Sequence, residues 1–450
     1  FSFFVPGYQF VPAYRNKIWN GKIYLYHIDT NLIYHGLLPY IENFCEEREY
    51  VLEYGDPRPD LTEDYPVYHA DKFITDLELQ SRNKDIEVRD YQKNAYVYAM
   101  RNNRCLLLSP TSSGKSLIIY LAVRQLLTYK CKKGLIIVPT TSLVEQLYSD
   151  FSDYSTKNGW DVQENVHRIY QGRDKHTDLP LTISTWQSLY TKPEEYFHQF
   201  DFIIGDEAHL FKAQSLVSIM SNCINAKYRI GLTGTLDGTK THKLVLEGLF
   251  GPVQKVTTTK ELMDNKQIAD FSIKCLVLKH DDEVCQLMKG KTYQEEIEYL
   301  ILNETRNKFI KNLAVSLNGN SLILYQYVDK HGKILYDMIT NTEKIGNRKV
   351  FFVYGKTDTE TREEVRRITE EENDAIIVAS YGTFSTGINI RNLHNIIFAS
   401  PSKSRVRNLQ SIGRGLRIGD NKTEAVLYDI ADDLRYKNYM NFTLKHFVER

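Results

Sequence analysis

The chain has 450 residues, 42% hydrophobic and 25% charged, the make-up of a globular protein with room for roughly three domains, each burying its own core. Lys+Arg and Asp+Glu both total 57, so a polyanionic partner has to be held by local patches and not by a global field. No stretch approaches the ~18 apolar residues of a membrane span, and the apolar start Phe1-Ser2-Phe3-Phe4-Val5 is soon broken by Pro6, Gly7 and Pro12 with no basic region before it, unlike a signal peptide.

Between Tyr8 and Leu38, aromatic and basic residues interleave: Tyr14, Arg15, Lys17, Trp19, Lys22, Tyr24 and Tyr26. The turn pair Asn20-Gly21 predicts a small β-hairpin module closed there. Such a sheet can stack on bases and pair with phosphates, although the aromatics equally suit the core of a small domain. Arg15, Lys17 and Lys22 are the better contact candidates because charges rarely fill a core, and Trp19 stands among them.

Ser109 to Ser116 read SPTSSGKS between an apolar run, Cys105 to Leu108, and an amphipathic segment, Leu117 to Leu127. Strand, tight loop and helix in that order make a nucleotide phosphate site. The backbone N–H groups of Pro110-Thr111-Ser112-Ser113-Gly114 and their neighbours, proline excepted, converge on the β-phosphate, Lys115 reaches the β/γ-phosphates, and the Ser116 hydroxyl ligates Mg²⁺. The first glycine of the GxxxxGK[ST] pattern is replaced by Ser109, which is tolerable if Ser109 still belongs to the strand.

Short apolar runs at 134–139, 181–185, 202–205 and 229–233 continue the series as buried parallel strands. Asp206-Glu207-Ala208-His209 follows the third of them, placing both carboxylates at a strand's C-terminal end, where open α/β sheets bind ligands. There Asp206 holds Mg²⁺ and Glu207 orients and deprotonates the attacking water. The DE pair gains specificity from Lys115 upstream in the same sheet.

The stretch from about 260 to 320 is charge-rich and lacks the alternation; it predicts a connection plus one helix over 293–317. A second strand series follows at 322–327, 350–354, 375–379, 396–399 and 425–428, without a phosphate loop. The charge run 360–372 predicts a solvated helix face with Glu363 paired to Arg367. Arg414 and Arg417, three apart on a predicted helix, can project together into a cleft and neutralise charge on the γ-phosphate. Lys403, Arg405 and Arg407 fit either a solvated helix start or a second polyanion contact; no acid falls between Lys403 and Arg417.

These segments, in this order over 85–420, resemble the motifs of superfamily 2 helicases and translocases of the DEAH type. Arg89 and Gln92 (RDYQ) resemble the adenine-reading element. VPTTSLVEQ around Thr140 and Ser184-Thr185-Trp186-Gln187 resemble segments that touch a nucleic-acid backbone. Leu232 to Thr235 resembles the element coupling hydrolysis to motion, Gly387 and Asn389 lie in the second-domain element facing nucleotide and strand, and QSIGRGLR resembles the arginine-finger element with Gln410, Arg414 and Arg417. The segment Gly7 to Tyr26, the GKTYQEEI block and the ASYGTFSTGI block with Thr383 are similar to phage UvsW-type branch-migration helicases. The resemblance implies two tandem RecA-like parallel-sheet domains, 85–262 and 263–450, preceded by a small α+β DNA-binding domain, 1–84. It also implies ATP and Mg²⁺ as cofactors and branched or forked DNA as substrate. As the ATPase motifs follow Arg89, a chain starting near Asp85 is expected to keep a folded motor.

Alternatives of the same class are an RNA helicase or a restriction-type duplex translocase; a non-enzymatic scaffold is disfavoured by the presence of Lys115, Asp206, Glu207, Arg414 and Arg417. The six cysteines show no CxxC pair and no metal-ligand spacing with histidine, and read as buried thiols in a reducing cytoplasm, the host's if the chain is phage-encoded. No membrane partner is expected, and a monomer is compatible with the sequence. The absence of an initiator Met fits either processing or an incomplete N-terminus.

Overall fold

Val, Ile and Leu cluster in short runs separated by amphipathic segments, and those runs form the strands of two parallel sheets in this computed structural model, which describes residues 1–5, 7–55, 62–81, 83–170, 177–236, 238–387, 390, 392–401, 422 and 424–449. The chain divides into two compact units, Phe1–Thr258 and Thr259–Arg450.

The first unit opens with β1 (Ser2–Phe4), paired antiparallel with β2 (Lys22–Tyr24), and with β3 (Tyr26–His27) paired antiparallel with β4 (Leu32–Ile33). The hairpin expected at Asn20-Gly21 does not form. Pro12 starts a short helix, Pro12–Arg15, so the residues before Asn20 are not a strand, and β2 pairs with the chain's first residues instead. Asn20 Oδ1 accepts from Lys22 N at 3.0 Å, and Gly21, at φ +80°, turns the chain into β2. After the small ribbon β5 (Gln80–Ser81) and β6 (Lys84–Asp85) come β7 (Arg104–Leu108), β8 (Gly134–Val138), β9 (Val166–Ile169), β10 (Leu181–Thr185), β11 (Phe202–Asp206), β12 (Tyr228–Thr233) and β13 (Val253–Lys255). Among the described residues these last form one parallel sheet in the order β13-β7-β12-β11-β8-β10-β9.

Both faces of this sheet are covered. One core includes helices Asp90–Arg101, Lys115–Tyr129 and Thr141–Tyr154, and takes in Tyr65, Ala70, Phe73, Leu77 and Leu79 from the segment before β5. The other includes helices Gln214–Asn222 and Lys240–Phe250 and takes in Leu25 and Leu37 from the amino-terminal module. The docking is close: a Cβ on Gly36 would lie 1.9 Å from Glu247 O, and Tyr40 OH donates to Glu247 Oε2 at 2.7 Å. Glu63 accepts from Lys130, Lys227 and Tyr228; burial raises its carboxyl, but those bonds outweigh it and hold the group at about 2. Residues 1–84 therefore supply core to the motor, an observation that weighs against a chain starting near Asp85 folding alone.

In the second unit β14 (Asp270–Lys279), β15 (Ser321–Tyr325), β16 (Val350–Val353), β17 (Ile376–Ser380), β18 (Asn395–Phe398) and β19 (Glu424–Asp433) form a parallel sheet, among the described residues, in the order β14-β19-β18-β15-β17-β16. β14 lies where the sequence predicted only a connection. It is an edge strand with Ile273 and Val277 exposed, so its residues do not carry the continuous apolar signature of a buried strand. The predicted helix 293–317 is two helices, Tyr293–Leu302 and Glu304–Ser316, broken at Asn303, whose side chain accepts from Arg306 N at 2.8 Å and caps the second. The solvated helix is Thr359–Glu371, but Glu363 pairs with Arg366 at 2.7 Å and Arg367 with Glu371 at 3.4 Å, not Glu363 with Arg367. Among the described residues no helix is long and apolar enough to cross a membrane.

Candidate nucleotide site and nucleic-acid surfaces

The phosphate loop leaves the C-terminal end of β7. Ser109 N still donates to Thr233 O of the neighbouring β12 at 2.9 Å, so the residue standing where a glycine is usual continues the sheet's ladder. Its buried hydroxyl lies 2.6 Å from Ser113 Oγ, which also donates to Pro110 O at 2.6 Å, pinning the loop from inside. The left-handed conformations fall elsewhere, at Ser112 (φ 69°) and Gly114 (φ 77°). Thr111 packs against Gly234 of the Leu232–Thr235 segment, its backbone N 3.5 Å from where a Gly234 Cβ would sit. Lys115 begins the helix Lys115–Tyr129 with Nζ 3.5 Å from Ser109 O, and Ser116 Oγ is 3.0 Å from Tyr154 OH. The positive end of the helix dipole falls at this loop, where an anion is favoured.

Asp206 ends β11, in register with Leu232 of β12, on the same edge of the sheet as the phosphate loop. Burial, and then the neighbouring Glu207 carboxylate, push its carboxyl up to about 6, against the pull of Lys115 and of the Glu207 N–H that it accepts at 2.9 Å. Glu207 adopts φ 49°, a left-handed backbone uncommon for glutamate, which turns its side chain off the strand direction. His209 Nδ1 lies 3.4 Å from Glu207 Oε2 and 2.9 Å from Thr233 Oγ1, and Thr233 Oγ1 donates to Thr235 O at 3.0 Å. A chain of contacts thus links the carboxylates to the Leu232–Thr235 segment.

The RDYQ element meets the loop directly. Gln92 is buried; its Oε1 accepts from Arg89 N at 3.0 Å and its Nε2 donates to Ser113 O at 2.9 Å. Tyr91 OH donates to the same carbonyl at 3.0 Å and accepts from Arg89 Nη1 at 2.9 Å. The side chain expected to read adenine is therefore engaged in shaping the phosphate loop, with one amide hydrogen and one carbonyl lone pair left.

Of the expected strand contacts, Thr140 follows β8, and its hydroxyl accepts from Leu143 N at 3.4 Å at the start of helix Thr141–Tyr154. Thr185 ends β10, in register with Val138, and its buried hydroxyl lies 3.1 Å from Ser188 Oγ. Both thus sit on the sheet edge that carries Asp206. Trp186 packs its ring against the second core. Arg15 Nε donates to Gln9 O at 3.2 Å, Lys17 holds φ 56°, Trp19 Nε1 donates to Lys22 O at 2.8 Å, and Lys22 Nζ lies 4.9 Å from the Phe4 ring. In the second unit Thr383 is buried, 2.7 Å from Ser380 Oγ, and Gly387 ends the helix Tyr381–Gly387. Asn389, Lys403, Arg405, Arg407, Gln410, Arg414 and Arg417 lie outside the described residues. Tyr154 joins the site without having been expected there, and within the expected elements Tyr91 and Thr233 make contacts that their motifs did not foretell. A tyrosine hydroxyl carries no motif of its own, and only its place within RDYQ, or a helix away from Ser116, could have marked it.

Comparison with known proteins agrees with this layout. Residues 85–238 match the family model "Type III restriction enzyme, res subunit", residues 304–419 match "Helicase conserved C-terminal domain", and residues 1–54 match "DNA helicase UvsW, N-terminal". The chain is 37% identical to the ATP-dependent DNA helicase uvsW of Enterobacteria phage T4, over 100% of this chain and 91% of that protein. It is 26% identical to the DNA 3'-5' translocase XPB2 of Sulfurisphaera tokodaii, over 77% of this chain and 81% of that one. The crystal structure of T4 UvsW superposes with a TM-score of 0.52 at 36% identity, covering 100% of this chain and 90% of that chain. The DNA-bound restriction-modification enzyme LlaBIII, at 18% identity and a TM-score of 0.61 over 81% of this chain, shares the fold. Both parallel sheets have the RecA-like helicase fold, and the chain belongs to the superfamily 2 helicase family that includes T4 UvsW.

Proposed function

We propose that this chain is an ATP-dependent DNA helicase of the DEAH type that couples hydrolysis to remodelling of forked and junction DNA, including branch migration. The observation that carries the reading is the shared C-terminal edge of one sheet, where Lys115 and Ser116 open the phosphate helix and Asp206 ends the strand two places away with Glu207 next to it, in a chain alike over its full length to a DNA helicase.

Asp206 is buried with its charge offset only in part by Lys115, and its carboxylate with the Ser116 hydroxyl is a hard-oxygen donor set that fits Mg²⁺. The ion neutralises charge on the β- and γ-phosphates when bound. Lys115 and the loop N–H groups fix the phosphates, Glu207 takes the proton of the attacking water, and His209 holds Glu207 against Thr233. By the resemblance of QSIGRGLR to the arginine-finger element, Arg414 and Arg417 are assigned the positive charge needed as the γ-phosphate leaves, with Gln410 in the same element and Asn389 as a nucleotide-facing residue. Protein of this kind works in the cytoplasm, that of the host for a phage gene product.

The test is an ATPase assay with single-stranded DNA, duplex, a synthetic fork, a four-way junction and RNA as stimulators. Forks and junctions are expected to stimulate most. Stimulation by RNA alone, or by no nucleic acid, overturns the reading. The match to a restriction-enzyme family over 85–238 favours one alternative, duplex translocation without strand separation, which the same assay reports as maximal stimulation by plain duplex.

A further inference from the structure

Between the amino-terminal module and the helices that follow the catalytic carboxylates lies a cleft of about 750 Å³, lined by Trp19, Lys22, Tyr24 and Tyr26 on one side and by Lys212 and His242 on the other, among others. A second hollow of about 780 Å³ runs along the module past Arg15 and Lys17. Trp19 and Tyr24 border both, so the two hollows share an aromatic wall.

Its rings are held in place while parts of them stay accessible. Trp19 Nε1 donates to Lys22 O at 2.8 Å, Tyr24 OH accepts from Asn20 Nδ2 at 2.6 Å, and Tyr26 OH donates to Asn31 Oδ1 at 2.7 Å, yet Tyr24 and Tyr26 remain 42% and 37% exposed. In the cleft Lys22, Lys212, His27 and His242 face one carboxylate, Asp29. Oriented aromatic rings alternating with cations along a groove suit a polyanion with flat apolar faces, since bases stack on the rings and phosphates meet the charges. A duplex hides its base faces; a single strand does not.

We propose that this groove binds a single-stranded DNA segment, with bases on Trp19, Tyr24 and Tyr26 and phosphates on Lys22, Lys212 and His242, and that Lys212 relays its occupancy to the ATP site. The relay follows from chain connection. Lys212 ends the turn Ala208–Lys212 that begins next to Glu207, and His242 sits in the first turn of the helix Lys240–Phe250 that follows the Leu232–Thr235 segment. Lys212 Nζ and His242 Nδ1 are 3.2 Å apart, so a phosphate drawing on both pulls on the turn that His209 ties to Glu207 and Thr233, and on the helix that follows the Thr233 segment. The proposal rests on the helicase reading for its consequence and on the groove alone for binding.

The experiment uses the full chain, a labelled oligo-dT of about 15 nucleotides, the upper end of one such binding site, and two readouts: dissociation constant, and ATPase rate against DNA concentration. Tyr24→Ala with Tyr26→Ala is expected to weaken binding about tenfold or more, while Tyr24→Phe with Tyr26→Phe, which keeps the rings, stays near wild type. Lys212→Ala should make the salt dependence of binding shallower by about 0.7 log units and lower the maximal DNA stimulation, with the DNA-free rate unchanged and Lys212→Arg restoring both. Matched melting temperatures exclude unfolding. Wild-type affinity and stimulation in folded Tyr24→Ala/Tyr26→Ala and Lys212→Ala proteins overturn the proposal. If no nucleic acid stimulates the wild type, the helicase reading fails and the relay with it, while the binding comparison still decides the groove.

Discussion

Glu207 holds a left-handed backbone that costs on the order of 1 kcal/mol or more for a non-glycine residue, and the surrounding contacts to His209 keep it there. A residue held this way suits a group that must point at a water and not along a strand. Glu207→Gln keeps size and backbone preference but removes the base, so turnover should fall about 10²-fold or more while ATP affinity, read by a fluorescent analogue, stays within a few-fold. Parallel loss of affinity would make Glu207 a ligand and not a base. Gly114 gives a second test. A Cβ there would lie 2.4 Å from Gln92 Nε2, at φ +77°. Gly114→Ala should therefore weaken ATP binding, and adding Gln92→Ala should recover only part of it, because the clash goes and the backbone strain remains. Unchanged affinity in the single variant would show that Gln92 does not shape the loop. Arg414→Ala and Arg417→Ala are each expected to cost turnover about 10³-fold with affinity largely kept. The residues of this site were legible because SPTSSGKS and DEAH need fixed spacings. How Ser109 does without a glycine was not legible, since that depends on a ladder bond to Thr233, more than a hundred positions away in the chain.

At the level of elements, burial decided what could be read. β8, β10 and β11 are buried throughout and stood out as apolar runs, whereas no residue of the edge strand β14 is fully buried and it did not. The helix break at Asn303 was hidden because the apolar period continues across it and only a cap tells the two helices apart. The GKTYQEEI block has a structural use: Thr292 and Glu295 form a capping box, and the buried Glu296 accepts from Asn441 Nδ2 at 2.9 Å, Phe442 N at 2.9 Å and Thr443 N at 2.7 Å, holding the C-terminal helix Phe442–Glu449. Glu296→Ala removes the acceptor of the Phe442 and Thr443 N–H groups, while Asn441 Nδ2 keeps Asp432 O, a loss of about 1–3 kcal/mol, so hydrogen exchange in 442–449 should rise and the urea midpoint of the second unit fall. A second prediction concerns acid. His331 is buried between Ser400 Oγ and Asn307 Oδ1, and burial first, then the Arg306 charge, hold its imidazole down at about 3 from an ordinary 6.5. The unfolded chain therefore takes up this proton first. Its contribution to stability is full above pH 6.5 and is lost progressively as pH falls toward about 3, and His331→Gln should flatten the urea midpoint over that window. An unaltered acid slope would rule this histidine out as a source.

The whole first unit raises the question of where a motor ends. By motif position the ATPase begins at RDYQ, and Asp85 is also where the match to the restriction-type family starts. Packing gives a different boundary. Leu37 is fully buried and Leu25 nearly so against the helix Lys240–Phe250, while Phe73, Leu77 and Leu79 fill the opposite core. Each fully buried side chain of this size contributes about 1.5–3 kcal/mol, so losing several approaches the ~5–15 kcal/mol that holds a typical domain together. The amino-terminal residues were legible as aromatic and basic, but nothing in their spacing says that Gly36 must be small because Glu247 O lies against it. A chain beginning at Asp85 should therefore be insoluble or melt well below the full-length protein, with ATP turnover lost along with the fold, as read by circular dichroism and solubility. Leu37→Ala in the full chain should reproduce part of that loss, about 2–5 kcal/mol, with the module still present. If the truncated chain instead folds with full-length stability, the amino-terminal module is an appendage and the helix Lys240–Phe250 has some other way to cover its apolar face. If it folds and keeps DNA-stimulated hydrolysis as well, the path from Lys212 to Glu207 does not depend on the module that forms the other wall of the groove.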